Sequence, residues 1–221
     1  ENGPHTLIVK PRGTRNPLSK GALVRVAAMQ FSDATGDAGF GEGGGPSGAQ
    51  RWVFGYTGRE DIVDSKGHAW RPGTEFTALT GHLTDVVAKT WWTMRQAVFI
   101  ANTPDPELYR YGVHWKEFAV NFTVAPGAYH VRLKFAETEL SGPGQRGITI
   151  HINGKAVVQG LDVFATAGGM NRAADLVYDN VAPRNGVIEV RFAGVNRDAM
   201  VQAIEIGPGP GGEGAVAKTI Q

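Results

Sequence analysis

From residue 118 onward the chain alternates apolar and polar positions, and breaks at Gly, Pro and Asn, so regularly that extended strands are what it specifies. Phe118, Val120, Phe122 and Val124 stand against Ala119, Asn121 and Thr123; Tyr129, Val131, Leu133 and Phe135 stand against His130, Arg132 and Lys134. Successive side chains of a strand point to opposite faces, so each run predicts one buried and one wetter face. Ile148, Ile150 and Ile152 form a third run, closed by Asn153-Gly154, the pair favoured where both central residues of a tight turn need positive φ. Asn185-Gly186 makes a similar turn before Ile188, Val190 and Phe192, and Met200, Gln202, Ile204 and Ile206 supply a last strand. No segment sustains a helical period with caps. Hairpins at this density predict an all-β fold, an antiparallel jelly-roll β-sandwich.

The 31 Gly and 12 Pro among 221 residues suit many short strands joined by tight turns. A net charge of +1 gives no electrostatic case for nucleic acid or an anionic membrane surface as partner. The chain has no cysteine, which excludes disulfides and thiolate metal sites, and no apolar run approaches a membrane span. Residues 1–31, with Leu7-Ile8-Val9 and Leu23-Val24-Arg25-Val26, read as a strand pair, the end of a preceding β domain. Residues 32–48 are Gly-rich and read as a linker or long loop, 49–207 as the sandwich, and the Gly- and Pro-rich 208–221 as a flexible tail. Gly39, Gly41 and Gly44 have a dinucleotide-binding spacing, but Pro46 offers no helix start, and the same spacing recurs at Gly207, Gly209 and Gly212. A nucleotide site is therefore not expected.

Five words punctuate the strands: Leu108-Tyr109-Arg110-Tyr111-Gly112, Phe135-Ala136-Glu137, Ile152-Asn153-Gly154-Lys155, Leu161-Asp162-Val163-Phe164 and Ala203-Ile204-Glu205-Ile206. In this order they resemble the malectin family, β-sandwich domains that bind carbohydrate and often sit beside glycoside hydrolases. The resemblance runs from Ile62 to Ile206. It implies a sugar site lined by Tyr111, which follows Arg110 as the family's tyrosine does. It also implies a second position in the loop after Glu137, where malectin carries an aromatic pair and this chain has Glu139-Leu140. That departure removes stacking surface and adds a charge. A third position is the loop Gly194-Val195-Asn196-Arg197-Asp198, where Asn196 and Asp198 are both candidates for an amide or acid facing sugar hydroxyls.

The residues read alone point the same way. Sugar sites need flat apolar faces for ring C–H groups and planar polar side chains for paired hydroxyls. Adjacent residues of a strand face opposite ways, so Trp91 and Trp92 cannot both be core. Tyr109 and Tyr111, two apart, share a face if extended. Together with the positions that the resemblance implies, the carbohydrate-binding candidates are Trp91, Trp92, Tyr109, Tyr111, Glu139, Asn196 and Asp198.

Glu137 and Glu139 would stand roughly 7 Å apart along an extended segment, within the range of glycosidase carboxylate pairs, but no third feature supports a general acid. The six His show no metal-ligand spacing, and no Gly-x-Ser-x-Gly elbow exists. Catalysis by this chain is not expected, nor is a cofactor; Asp33 and Asp37 are the one calcium position considered, without the Ca²⁺ loop pattern. The expected function is a non-catalytic carbohydrate-binding module that tethers a bacterial glycoside hydrolase to a poly- or oligosaccharide, outside the cytoplasm. Its partners would be carbohydrate and the catalytic domain of the parent enzyme. The alternative is a docking domain of such an enzyme that binds no sugar, which the loss of the aromatic pair at Glu139-Leu140 favours.

Overall fold

The computed structural model describes residues 47–56, 58–73 and 98–213, together with the backbone of 91–92 and 218–219. The expected strand pair in 1–31, most of the Gly-rich 32–48 and the calcium position at Asp33 and Asp37 lie outside the described residues.

In chain order the strands are β1 (Gln50–Val53), β2 (Ile62–Val63), β3 (Ala69–Pro72), β4 (Trp91–Trp92), β5 (Gly112–Trp115), β6 (Glu117–Thr123) and β7 (Tyr129–Ala136). There follow β8 (Ile148–Ile152), β9 (Lys155–Leu161), β10 (Ala173–Val181), β11 (Val187–Gly194), β12 (Ala199–Val201), β13 (Ala203–Pro208) and β14 (Lys218–Thr219). They form a seven-stranded sheet in the order β14-β10-β7-β13-β1-β3-β2, a four-stranded sheet β6-β11-β8-β9 and a three-stranded sheet β12-β5-β4. The fold is all-β, as the alternation predicts. It is not wholly antiparallel: β1 pairs β3 and β10 pairs β14 in parallel.

The two larger sheets pack face to face. Val131, Leu133 and Phe135 of β7 and Ile204 and Ile206 of β13 share one buried cluster with Phe122 of β6, Ile150 of β8 and Val190 of β11. The Phe135 and Phe192 rings meet edge to face across the layers, with centroids 6.4 Å apart and planes at 70°. Burying each such side chain stabilises the sandwich by about 1.5–3 kcal/mol.

The turn chemistry holds locally but not always globally. Asn153 (φ 51°) and Gly154 (φ 79°) take the left-handed conformation they were read for and join β8 to β9 as a hairpin. Asn185 (φ 52°) and Gly186 (φ 75°) form the same turn, yet only Arg184 and Val187 pair across it. Beyond that bridge β10 and β11 enter opposite sheets. The turn after Val124 likewise carries the chain from β6 in one sheet to β7 in the other, closed by the Tyr129 hydroxyl donating to the Ala125 carbonyl at 2.9 Å. A turn fixes only a reversal; which strand lies alongside depends on where its apolar face finds cover.

A one-turn helix, α1 (Val163–Ala167), was not expected. Asp162 caps it by accepting from the Ala165 N–H at 2.9 Å, and Gly168 (φ 77°) ends it. Five residues are too few to show a period.

The second departure concerns β7. Its His130, Arg132 and Lys134 were expected on a wet face, but the whole strand is buried. Cover comes from the segment after β13, which was expected to be a flexible tail. There Arg132 Nη2 donates to the carbonyls of Gly211 (2.5 Å) and Glu213 (3.2 Å), and Gly211 N–H donates to Asp179 Oδ1 at 2.8 Å. Gly207 and Pro208 still pair with His130 and Tyr129 in the β13–β7 ladder, and beyond them the chain offers its carbonyls for a guanidinium to grip.

Candidate functional site

Three segments distant in sequence meet at one end of the sandwich: the loop between β7 and β8, the loop between β11 and β12, and His114 of β5. Arg146 is buried at their junction and spends its guanidinium on the two loops, while His114 joins through Asp198. Nε donates to Glu137 Oε2 at 2.9 Å, Nη2 to Glu139 Oε2 at 2.9 Å and Nη1 to the Asp198 carbonyl at 2.7 Å. Glu137, 1% exposed, also accepts the N–H groups of Glu139 (3.0 Å) and Leu140 (3.1 Å). Its carboxylate thus accepts three hydrogen bonds that shape the loop.

Asn196 stitches the loops together: Oδ1 accepts from Gly147 N–H at 2.7 Å and Nδ2 donates to the Gly144 carbonyl at 3.1 Å. Asp162, the α1 cap, takes the Gly144 N–H as well. Two carboxylates remain at the surface. The Glu139 side chain is 69% exposed, and Asp198 Oδ2 lies 2.9 Å from His114 Nδ1 with both groups partly open to solvent. Each is held in one orientation by a neighbour, which is what paired hydroxyls of a sugar require of a planar acceptor. No cluster able to hold a metal exists among the described residues.

A family model for the malectin domain matches residues 57–210, a stretch that takes in both loops, α1 and β13. The chain belongs to the malectin domain family. A probable receptor-like protein kinase of Arabidopsis thaliana is 33% identical over 104 residues, 44% of this chain and 12% of the kinase. The ANXUR2 extracellular domain from Arabidopsis thaliana shares the fold with a TM-score of 0.61 at 15% identity, covering 78% of this chain and 50% of that one. A Bacteroides uniformis β-glucuronidase does so with a TM-score of 0.57 at 17% identity, over 72% of this chain and 18% of the enzyme. The malectin domain thus spans half or less of these larger proteins.

Within this malectin domain the expected site residues separate. Glu139, Asn196 and Asp198 come together at the loop end, although Asn196 is occupied in joining loops. Tyr109 and Tyr111 do not share an open face. Tyr109 lies in a 3₁₀ turn, Pro106–Tyr109, rather than an extended segment, so the two-apart rule does not apply to it. It is 1% exposed; its hydroxyl donates to Asp175 Oδ1 at 2.5 Å and accepts from Lys134 Nζ at 2.9 Å. Burial and the neighbouring Asp175 carboxylate push its phenol well above the usual tyrosine range.

Tyr111, 5% exposed, donates to Glu107 Oε1 at 2.5 Å and meets Tyr56 edge to face at 4.8 Å. Burial and Glu107 raise its phenol too. Neither ring offers a free face for stacking. The backbones of Trp91 and Trp92 pair with Val113 and Gly112 in β4–β5; their side chains lie outside the described residues. Leu140, at the family's aromatic position, is buried. Sequence reasoning missed Arg146 and His114, because nothing local marks a residue whose partners lie on other loops.

Proposed function

We propose that this malectin domain is a non-catalytic carbohydrate-binding module whose ligand sits on the loop end of the sandwich. The observation that carries the reading is the Arg146 hub, which fixes Glu139 and the Asp198 backbone in one rigid surface. Glu139 and Asp198 accept sugar hydroxyls, and the His114 ring beside Asp198 supplies a further planar polar group. With Leu140 buried and no open tyrosine face among the described residues, binding is polar and shallow, and single-site affinity is modest. Presentation on a larger enzyme at a polysaccharide would compensate through effective concentration. Similarity to part of a bacterial β-glucuronidase supports the glycoside-hydrolase setting, and similarity to an extracellular domain supports a place outside the cytoplasm. The same reading takes the sandwich as a jelly roll.

A second reading is favoured by the buried aromatics: a docking domain that packs on a parent enzyme and binds no sugar. The two are separated by an affinity-gel and glycan-array screen of the chain with Glu139→Ala and Asp198→Ala. Retention of the native chain on one glycan, weakened in either variant, supports the module. A folded chain retained by no glycan supports docking.

A further inference from the structure

Away from the loop end, the outer face of the seven-stranded sheet holds a cavity of about 390 Å³. Its floor is the buried stripe of Arg132 and Lys134 from β7, Asp175 from β10 and Glu205 from β13. Trp70 and Tyr109 flank Lys134, whose ammonium stands 5.4 Å and 5.0 Å from their ring centres. Asn102, Thr103 and Asp105 from the segment before the 3₁₀ turn form one rim, and Gly211 and Glu213 the other.

The four floor charges balance one another. Arg132 and Lys134 share Asp175 at 2.8 Å and 3.0 Å, and Arg132 Nε reaches Glu205 at 3.3 Å. An incoming anion therefore meets no unbalanced cation on the floor, and the rim adds Lys66 and Glu213, one charge of each sign. A cation fares little better. The Asp64 carboxylate at the rim already takes four donors, from Lys66, His68 (twice) and Trp70, and Asp105 holds Ser65 through both oxygens.

What the cavity offers instead is a set of fixed donors and acceptors. Lys134 spends two of its three N–H donors, on Tyr109 and Asp175. Asn102 spends its Nδ2 on the Ala167 carbonyl, which leaves its amide oxygen. Groups that both donate and accept, carried on a small neutral ring, match this wall. The volume lies near the small end of the roughly 300–1,000 Å³ of ligand sites, which suits one or two rings rather than a chain.

We infer that this cavity is a second ligand site, for a neutral monosaccharide or disaccharide, separate from the loop end. Hydroxyls replace water nearly one for one there, so affinity is in the millimolar range.

The test is an amide chemical-shift titration of the full 221-residue chain with glucose, galactose and mannose, and in parallel with the charged glucuronate and glucosamine. Saturating shifts at Ser65, Thr103 and Gly211 with a neutral sugar, weaker with both charged ones, are expected. Thr103→Val should weaken that binding by about fivefold to tenfold and, because the Thr103 hydroxyl also accepts the Asp105 N–H at 3.0 Å, lower the unfolding midpoint slightly; Thr103→Ser should restore both. No shifts at these amides with any of the three neutral sugars, or tighter binding of a charged one, overturns the assignment. Shifts confined to Glu139, Gly147 and Asn196 would overturn it while sustaining the loop-end module; shifts confined to the cavity would do the reverse.

Discussion

At Glu205, burial alone would raise the carboxyl, but the His130 ring 3.7 Å away and the charges of Arg51 and Arg132 outweigh it and bring it down to about 2. The ordinary value is 4.5, so this carboxylate stabilises the fold fully above that pH. Its contribution, on the order of 3 kcal/mol, is lost as pH falls from 4.5 through about 2. We expect the urea midpoint to drop across that window and Glu205→Gln to flatten the drop; an unchanged profile in the variant would count against it. Arg146 makes a second case. Arg146→Ala strands the buried Glu137 carboxylate and should cost about 3–5 kcal/mol, read as a lower urea midpoint, with partial recovery when Glu137→Gln is added. Glu137 was singled out in the sequence by the Phe135-Ala136-Glu137 word; its partner nine residues on was not, because an arginine in a Gly-rich loop carries no local pattern.

Between elements, two glycines separate conformation from contact. Gly55 (φ +75°), beyond β1, would place a Cβ 2.4 Å from the Gly112 carbonyl oxygen at the start of β5; Gly67 (φ +82°), between β2 and β3, would meet nothing within 4 Å. Gly67→Ala should therefore cost about 1–2 kcal/mol, the left-handed backbone penalty alone. Gly55→Ala should cost clearly more, since Gly112 cannot retreat without disturbing its pairing with Trp92 in β4. Thermal denaturation of the two variants side by side gives the answer; equal losses would mean the contact relaxes freely. The β8–β9 hairpin was legible at this scale from Asn153-Gly154. The crossing from β6 to β7 was not, because a turn of the same kind serves a hairpin or a change of sheet.

For the molecule as a whole, Phe192 packs against Phe118 within its own sheet (4.9 Å between centroids) and against Phe135 of the other (6.4 Å). Phe192→Ala should cost about 3–5 kcal/mol. Because both sheets line the same cluster, the loss should lower one cooperative transition, with the same midpoint by near- and far-ultraviolet circular dichroism. Separate midpoints would mean the sheets unfold independently. The candidate site is a property of this scale too. Glu139 and Asp198 were each read as loop residues, but their juxtaposition depends on the sandwich bringing two loop ends over one guanidinium.

The alternation in residues 118–135, 148–152 and 188–192 determined β6, β7, β8 and β11, their inward faces and the turns beside them, because side-chain direction in a strand is a local, period-two property. The run from Met200 to Ile206, expected as one strand, divides at Gln202 into β12 and β13, which belong to different sheets. The words from Leu108 to Ile206 likewise marked the family. Which strands lie side by side, and what covers the outer face of β7, was decided only in three dimensions. His130, Arg132 and Lys134 look the same in sequence whether solvated or buried. They are buried here because Asp175, Glu205 and the carbonyls of Gly211 and Glu213, all far along the chain, supply the partners that make burying those charges tolerable.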